Sequence, residues 1–295
     1  MLDLRTALVT GPVVLDGGLG TTLEAAGHDV TGELWSARVL AETPAAVRSA
    51  HARYAAAGAE VLTTGSYQIG FDNLAAAGFD AAQTRRLLHL SVRVAREGAA
   101  EAGRDAWVAA SVGPYGATRA DGSEYTGDDG LSVAELERWH RRRLEAIVDA
   151  EPDVLAIETI ASPAEAEAVM RAIDGIGIPS WVALSAASRA FDAASLRETL
   201  AASARIAGVI AVGVNCCPPE TVASALADPV AVPFVVYPNS GETWDAAART
   251  WSGEPGLPLI GLDGWLAAGA RLIGGCCRTT PDDTAALAAR LHARR

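Results

Sequence analysis

The four cysteines of this chain fall in two adjacent pairs, Cys216-Cys217 in GVNCCPP and Cys276-Cys277 in IGGCCRTTP, with 60 positions from Cys216 to Cys276. The cysteine thiolate is both a strong nucleophile and a soft metal ligand. The two pairs therefore read either as a shared metal site or as buried thiols packing like small apolar side chains. A structural disulfide is disfavoured in a reducing compartment, and bridging two neighbouring residues strains the disulfide geometry. No CxxC ribbon is present, so spacing alone leaves both readings open. A second constraint is an absence: all 24 basic residues are arginine. Without lysine, Schiff-base aldolase chemistry and covalently held pyridoxal phosphate are excluded.

Each pair ends a short apolar, β-branched run, and such runs recur at Val13–Gly18, Glu60–Ser66, Trp107–Gly113, Val154–Thr159, Trp181–Ala186, Val209–Cys216, Phe234–Asn239 and Arg271–Cys276. Runs such as Val154-Leu155-Ala156-Ile157 suit a parallel sheet covered on both faces. Helical patterns separate them. Thr43-Pro44 offers an N-cap and an N1 proline. Ser132…Glu135 and Ser162…Glu165 match the capping box, and Thr280-Pro281-Asp282-Asp283 opens the last helix with negative charge. Eight alternating units in residues 1–295 predict one (β/α)8 TIM barrel domain, with a doubly wound open sheet as the structural alternative. The 60 positions are about two βα units of ~30 residues, so the cysteine pairs follow strands six and eight and can converge above the core. The irregular stretches Asp72–Phe79, Tyr115–Gly130 and Ser240–Pro258 all follow strands, on the face where barrels build their sites. The Arg141-Arg142-Arg143 run, beside Glu137 and Glu145, reads as a solvated, salt-bridged helix face.

A formal net charge of −12 argues against nucleic acid as a partner and mildly favours a cationic substrate. No signal peptide and no apolar run of membrane-spanning length is found, so the cytoplasm is the expected location and no membrane partner is expected. DGGLG is not a dinucleotide fingerprint. Gly17, Gly18, Gly274 and Gly275 are expected to permit close backbone approach at strand ends.

Read in order, the chain shows DGGLGTTLE (Asp16–Glu24), LWSARVL from Leu34, TTGSYQ (Thr63–Gln68), AIET (Ala156–Thr159), GVNC (Gly213–Cys216), VVYPNSGETWD (Val235–Asp245) and LIGGCCRTTP (Leu272–Pro281). Over nearly its whole length this resembles the homocysteine S-methyltransferase family, in particular the short bacterial and plant branch using S-methylmethionine or S-adenosylmethionine. The resemblance implies a zinc cofactor held by Cys216, Cys276 and Cys277, with Cys217 outside the ligand set. Three protein ligands leave one tetrahedral position open, as in catalytic zinc sites. It also implies that Asp16 and Glu158 read the ammonium group of homocysteine and that Thr64 contacts the amino-acid part.

Trp35 and Tyr67 are aromatic walls suited to a sulfonium. Asn215 and Asn239 stand where they can orient ligands or substrate. The implied reaction is direct methyl transfer from a sulfonium donor to the homocysteine thiol, giving methionine, without a methylated enzyme. Betaine as donor, selenocysteine as acceptor, and a noncatalytic zinc- or thiol-binding barrel are the alternatives. A monomer or modest homo-oligomer is expected.

Overall fold

The structure is a computed structural model that describes residues 2–30, 34–127, 130–245, 250–253, 256–257 and 259–294. Its strands are β1 (Val13–Val14), β2 (Val61–Thr63), β3 (Trp107–Val112), β4 (Val154–Ile160), β5 (Ser180–Leu184), β6 (Val209–Asn215), β7 (Phe234–Tyr237), β8 (Thr243–Asp245), β9 (Thr250–Ser252) and β10 (Ala270–Ile273). Eight of them form one parallel sheet in the order β1-β10-β7-β6-β5-β4-β3-β2. A parallel bridge between Leu15 and Val61 joins its two ends. Asp16 N–H donates to the Val61 carbonyl at 3.1 Å and Glu60 N–H to that of Val14 at 2.8 Å across the same seam. The sheet is thus a (β/α)8 barrel rather than an open doubly wound sheet. Strands β8 and β9 pair antiparallel as a hairpin in the connection after β7.

Burial on both strand faces explains the continuous apolar runs. Inside the barrel, Ala109, Ala156, Ala183 and Ala211 share the interior with the fully buried indole of Trp181. Leu4, Ala7 and Leu8 of the helix Leu4–Thr10 join the same cluster, so that helix plugs the N-terminal mouth. Outside, Leu62, Val108, Leu155, Val182 and Val212 pack with helix residues such as Leu88, Leu144 and Val169. This leaves the C-terminal rim as the face free to carry chemistry.

The helix starts follow the sequence in part. Ser132 and Thr280 form complete capping boxes with Glu135 and Asp283. Pro44 occupies the first helical turn, but the Thr43 side chain makes no cap bond. Ser162 caps Glu165 N–H, whereas the Glu165 carboxylate turns away to accept from Tyr115 N–H at 2.6 Å and to pair with His140 at 2.9 Å.

Three further expectations are corrected. Arg141 is a solvated partner of Glu137, but Arg143 is only 1% exposed, because its guanidinium satisfies three loop carbonyls inside the protein. The stretch expected to be irregular at Asp72–Phe79 is largely helical, Phe71–Ala76, with Asn73 Oδ1 accepting from Gly70 N–H at 3.0 Å to start it. The expected Ser240–Pro258 loop contains the β8–β9 hairpin, and its residues 246–249, 254–255 and 258 lie outside the described residues.

Candidate functional site

Most strands leave the ladder sooner than the apolar runs suggest, and the residues beyond them build the rim. Cys216 follows β6 directly, while Cys276 and Cys277 follow β10. These strands flank β7, so the two cysteine loops meet over its end. Asn239 ties them: its N–H donates to the Cys217 carbonyl at 3.0 Å, and its Oδ1 accepts from Cys277 N–H at 3.2 Å. Cys276 N–H donates to the Pro238 carbonyl at 2.8 Å. Close approach requires small residues here. A Cβ on Gly274 would lie 2.6 Å from the Asp16 carbonyl oxygen, and one on Gly18 2.7 Å from that of Cys276.

The Sγ atoms of Cys216, Cys276 and Cys277 all lie within 4.8 Å of one another, with Cys216 and Cys277 3.6 Å apart. Three sulfurs at ~2.3 Å from a tetrahedral zinc would be about 3.8 Å apart, so this donor set fits a metal ion. The thiols also perturb one another. Hydrogen bonds with Cys216 and Cys277 push Cys276 well above the usual thiol range, while those from Cys216 and Cys276 hold Cys277 well below it. The three sulfurs therefore do not ionise together unaided, and a cation between them is what would let all three do so. Cys217 instead lies fully buried within the apolar layer between sheet and helices, and burial pushes its thiol up to about 12.

Two carboxyls stand on the same rim. Asp16, just past β1, accepts from Thr63 N–H at 2.7 Å and Thr63 Oγ1 at 2.9 Å. Glu158, near the end of β4, accepts from Tyr237 hydroxyl at 3.0 Å and from Ser111 Oγ. Tyr237 in turn accepts from Trp181 Nε1 at 3.0 Å, which anchors Glu158 to the barrel interior. Burial raises Asp16 to about 8 and Glu158 to about 7, and each proximity adds to it: Glu158 acts on Asp16, and Cys216 on Glu158. Both acids therefore sit in a low-polarity site that would welcome a positive charge.

The remaining sequence-derived residues are placed as follows. Asn215 is 1% exposed and exchanges hydrogen bonds with Thr159. Tyr67 lies with its ring against Gly113, where a Cβ would meet it at 2.6 Å, and within electrostatic reach of Cys216. The Thr64 hydroxyl lies 2.7 Å from that of Ser66 and accepts from Ser111 N–H at 3.1 Å, joining β2 to β3; its neighbour Thr63 is the one that meets Asp16. Trp35, 37% exposed with φ 42°, opens the helix Trp35–Glu42. Among the described residues, no hydrogen bond or ring contact joins Trp35 to the sulfur cluster.

Several residues emerge only from the structure. Tyr125 places its hydroxyl 3.2 Å from Cys216 Sγ. Arg143 donates to the carbonyls of Gly113 at 2.9 Å, Ser66 at 2.6 Å and Tyr67 at 2.7 Å, gathering the loops after β2 and β3. The irregular length after the third strand is the one sequence clue to Tyr125; no spacing announces Arg143.

The profile of the family described as homocysteine S-methyltransferase matches residues 13–291. The chain belongs to the homocysteine S-methyltransferase family. It is therefore an enzyme of the methyltransferase class. The homocysteine S-methyltransferase of Escherichia coli (strain K12) is 43% identical over 298 residues, covering 94% of each chain. The homocysteine S-methyltransferase YbgG of Bacillus subtilis (strain 168) is 39% identical, covering 98% of each. The crystal structure of the metallated form of the homocysteine methyltransferase MmuM from E. coli superposes with a TM-score of 0.84 at 39% identity, covering 98% of this chain and all of that one. Among the described residues no helix is long and apolar enough to cross a membrane.

Proposed function

We propose that this enzyme transfers a methyl group from a sulfonium donor, S-methylmethionine or S-adenosylmethionine, to the thiol of L-homocysteine, with Zn2+ held by Cys216, Cys276 and Cys277. The observation that carries the reading is the three-sulfur group on the same rim as the buried carboxyls of Asp16 and Glu158. A zinc ion bound there supplies the positive charge that lets an acceptor thiol ionise near neutral pH.

The chain's own residues do the rest. Asp16 and Glu158 receive the homocysteine ammonium, and their bonds to Thr63, Ser111 and Tyr237 fix both carboxyl groups before substrate arrives. Asn239 and Asn215 hold the cysteine loops, so the acceptor sulfur is aligned without a late rearrangement. Tyr67 and Tyr125 screen the cluster from water on the side of the β2 and β3 loops. Transfer from sulfonium to thiolate cancels charge, and the leaving thioether is neutral, so no residue is required as a general acid. The protein works as a monomer or small homo-oligomer on small molecules alone.

The test is metal content measured on wild type and Cys276→Ser, paired with homocysteine methylation from S-methylmethionine, S-adenosylmethionine and betaine. One zinc per chain, lost together with activity in the variant, supports the reading, and the fastest donor defines the substrate. A reduced, zinc-replete protein that makes no methionine from either sulfonium overturns it.

A further inference from the structure

A third buried carboxyl stands beside the sulfur cluster. Glu124 lies in the tight turn Ser123–Tyr125 on the connection leaving β3 and is 4% exposed. Its Oε2 is buried with no hydrogen-bond partner among the described residues, a condition native proteins rarely tolerate without a use. The next residue, Tyr125, reaches Cys216 Sγ; charge on Glu124 is felt at Cys277 and Tyr67, and burial, with charge on Cys216, raises the Glu124 carboxyl above its ordinary range, so a cation beside it would favour its ionised form. The turn is braced. Ser123 Oγ donates to the Gly116 carbonyl at 3.2 Å, Ser123 N–H donates to Asp121 Oδ1 at 3.0 Å, and a Cβ on Gly127 would lie 2.6 Å from the Ala161 carbonyl oxygen at the exit of β4.

The chain offers Glu124 no counter-charge among the described residues. The Arg143 guanidinium is committed to three carbonyls, Arg278 is paired with Glu242 at 3.1 Å, and lysine is absent. Asp16 and Glu158, at the ends of β1 and β4, are already held by donors on β2, β3 and β7, which leaves Glu124 on the side of the cluster lined by Tyr67 and Tyr125.

We infer that Glu124 is the specificity residue for the methyl donor, its carboxylate facing the donor's positive charge. The inference rests on the proposed reaction, whose donor is a sulfonium, and assigns the residue of this chain that reads the sulfonium charge. In the transfer, a lone pair of the acceptor thiolate forms the new S–CH3 bond. The old C–S bond breaks with its electron pair going to the leaving sulfur, which becomes a neutral thioether. Glu124 gains and loses no proton. It attracts the donor most strongly before transfer, when the sulfonium charge is whole, and least afterwards. Its contribution is therefore to binding rather than to the barrier, and it helps the neutral product leave.

The experiment uses zinc-replete full-length protein with Glu124→Gln and Glu124→Asp. Zinc per chain, melting temperature, KM for each substrate and calorimetric binding of S-methylmethionine and of neutral methionine are measured. Glu124→Gln is expected to raise the donor KM by about tenfold or more, with kcat unchanged or higher. Homocysteine KM, zinc content and methionine affinity should stay within about twofold. Glu124→Asp, which keeps the charge, should fall between, and carries the test if the glutamine variant does not fold. Equal losses for both substrates, or a fall in kcat at unchanged donor KM, overturn the inference. If wild type binds S-methylmethionine in a Glu124-dependent way but makes no methionine, the proposed reaction fails while the cation site stands. Turnover with a donor KM indifferent to Glu124 overturns the cation site while the proposed reaction stands.

Discussion

Asn215 and Thr159 grip each other across the barrel rim. Thr159 N–H donates to Asn215 Oδ1 at 2.7 Å and Asn215 Nδ2 donates to Thr159 Oγ1 at 2.8 Å. The bond joins the residue after Glu158 to the residue before Cys216. Each of those flanks is unusual, for Thr159 has φ 59° and Cys216 has φ 46°. Left-handed backbone at non-glycine residues costs ~1 kcal/mol or more each and persists where surrounding contacts impose it.

Removing the grip should therefore damage stability and site together. Asn215→Ala leaves Thr159 N–H buried without an acceptor, and a loss of about 2–4 kcal/mol is expected for the two bonds. Chemical denaturation measures that loss. Homocysteine KM should rise and zinc affinity should fall in the same protein, because Glu158 and Cys216 are released from one register. A variant that loses stability while keeping both affinities would show that the strand ends hold their positions without Asn215.

Cys217 and Cys277 separate the two kinds of cysteine. Cys217→Ser puts a hydroxyl into an apolar layer and should cost about 1–3 kcal/mol while retaining the full complement of metal. Cys277→Ser should lose metal and methyl transfer with a smaller change in melting temperature of the metal-free protein. Metal analysis beside thermal melts decides it, and metal loss in Cys217→Ser would redraw the ligand set.

How much of this is legible in the sequence depends on the range of the physics. Apolar runs and capping boxes are local, so the barrel, its strand order and starts such as Ser132–Glu135 are readable. The cysteine loops are readable too, because two βα units carry the chain from one to the other. Strand ends read too long, as at Asp16 and Cys276, because these residues still bond to the neighbouring strand or its exit, Asp16 N–H to the Val61 carbonyl and Cys276 N–H to that of Pro238, without continuing the ladder. Arg143 reads wrongly as a surface residue because its acceptors are backbone carbonyls 30 to 77 positions away, which leave no trace in side-chain pattern. Thr63 and Thr64 alternate across the strand, and which of them meets Asp16 depends on a register that composition does not encode.

The raised carboxyls give homocysteine binding a pH signature. Asp16 titrates near 8 and Glu158 near 7 in the folded protein, against 3.8 and 4.5 ordinarily. Folding thus favours their protonated forms, and the stability this contributes is fully present below about pH 4 and is lost progressively as pH rises to 7 for Glu158 and to 8 for Asp16. A bound ammonium favours the ionised forms instead. Between about pH 6.5 and 8.5 the free protein should melt lower as pH rises, the affinity for homocysteine should climb, and binding should release protons. Calorimetry in two buffers of different ionisation enthalpy reads the proton count. An uptake of protons on binding would place the ammonium elsewhere.

His51 should govern acid stability. It is fully buried in the helix Pro44–Ala56, and neither ring nitrogen has a hydrogen-bond partner among the described residues. Burial lowers it from 6.5 to about 4. Above pH 6.5 the ring is neutral in folded and unfolded chains alike and contributes no pH dependence. As pH falls below 6.5 the unfolded chain takes the proton first, so folding loses free energy steadily until about pH 4, where the folded ring titrates too. At 1.36 kcal/mol per pKa unit this amounts to about 3 kcal/mol. The carboxyls of Asp16 and Glu158 act in the opposite direction over part of this range, so the comparison must be between two proteins that share them. Wild type and His51→Leu, a replacement of similar bulk with nothing to protonate, should differ by an amount that changes by that figure between pH 7 and pH 4. Parallel stability curves for the two proteins would mean that the ring is not held neutral, and that acid unfolding starts elsewhere.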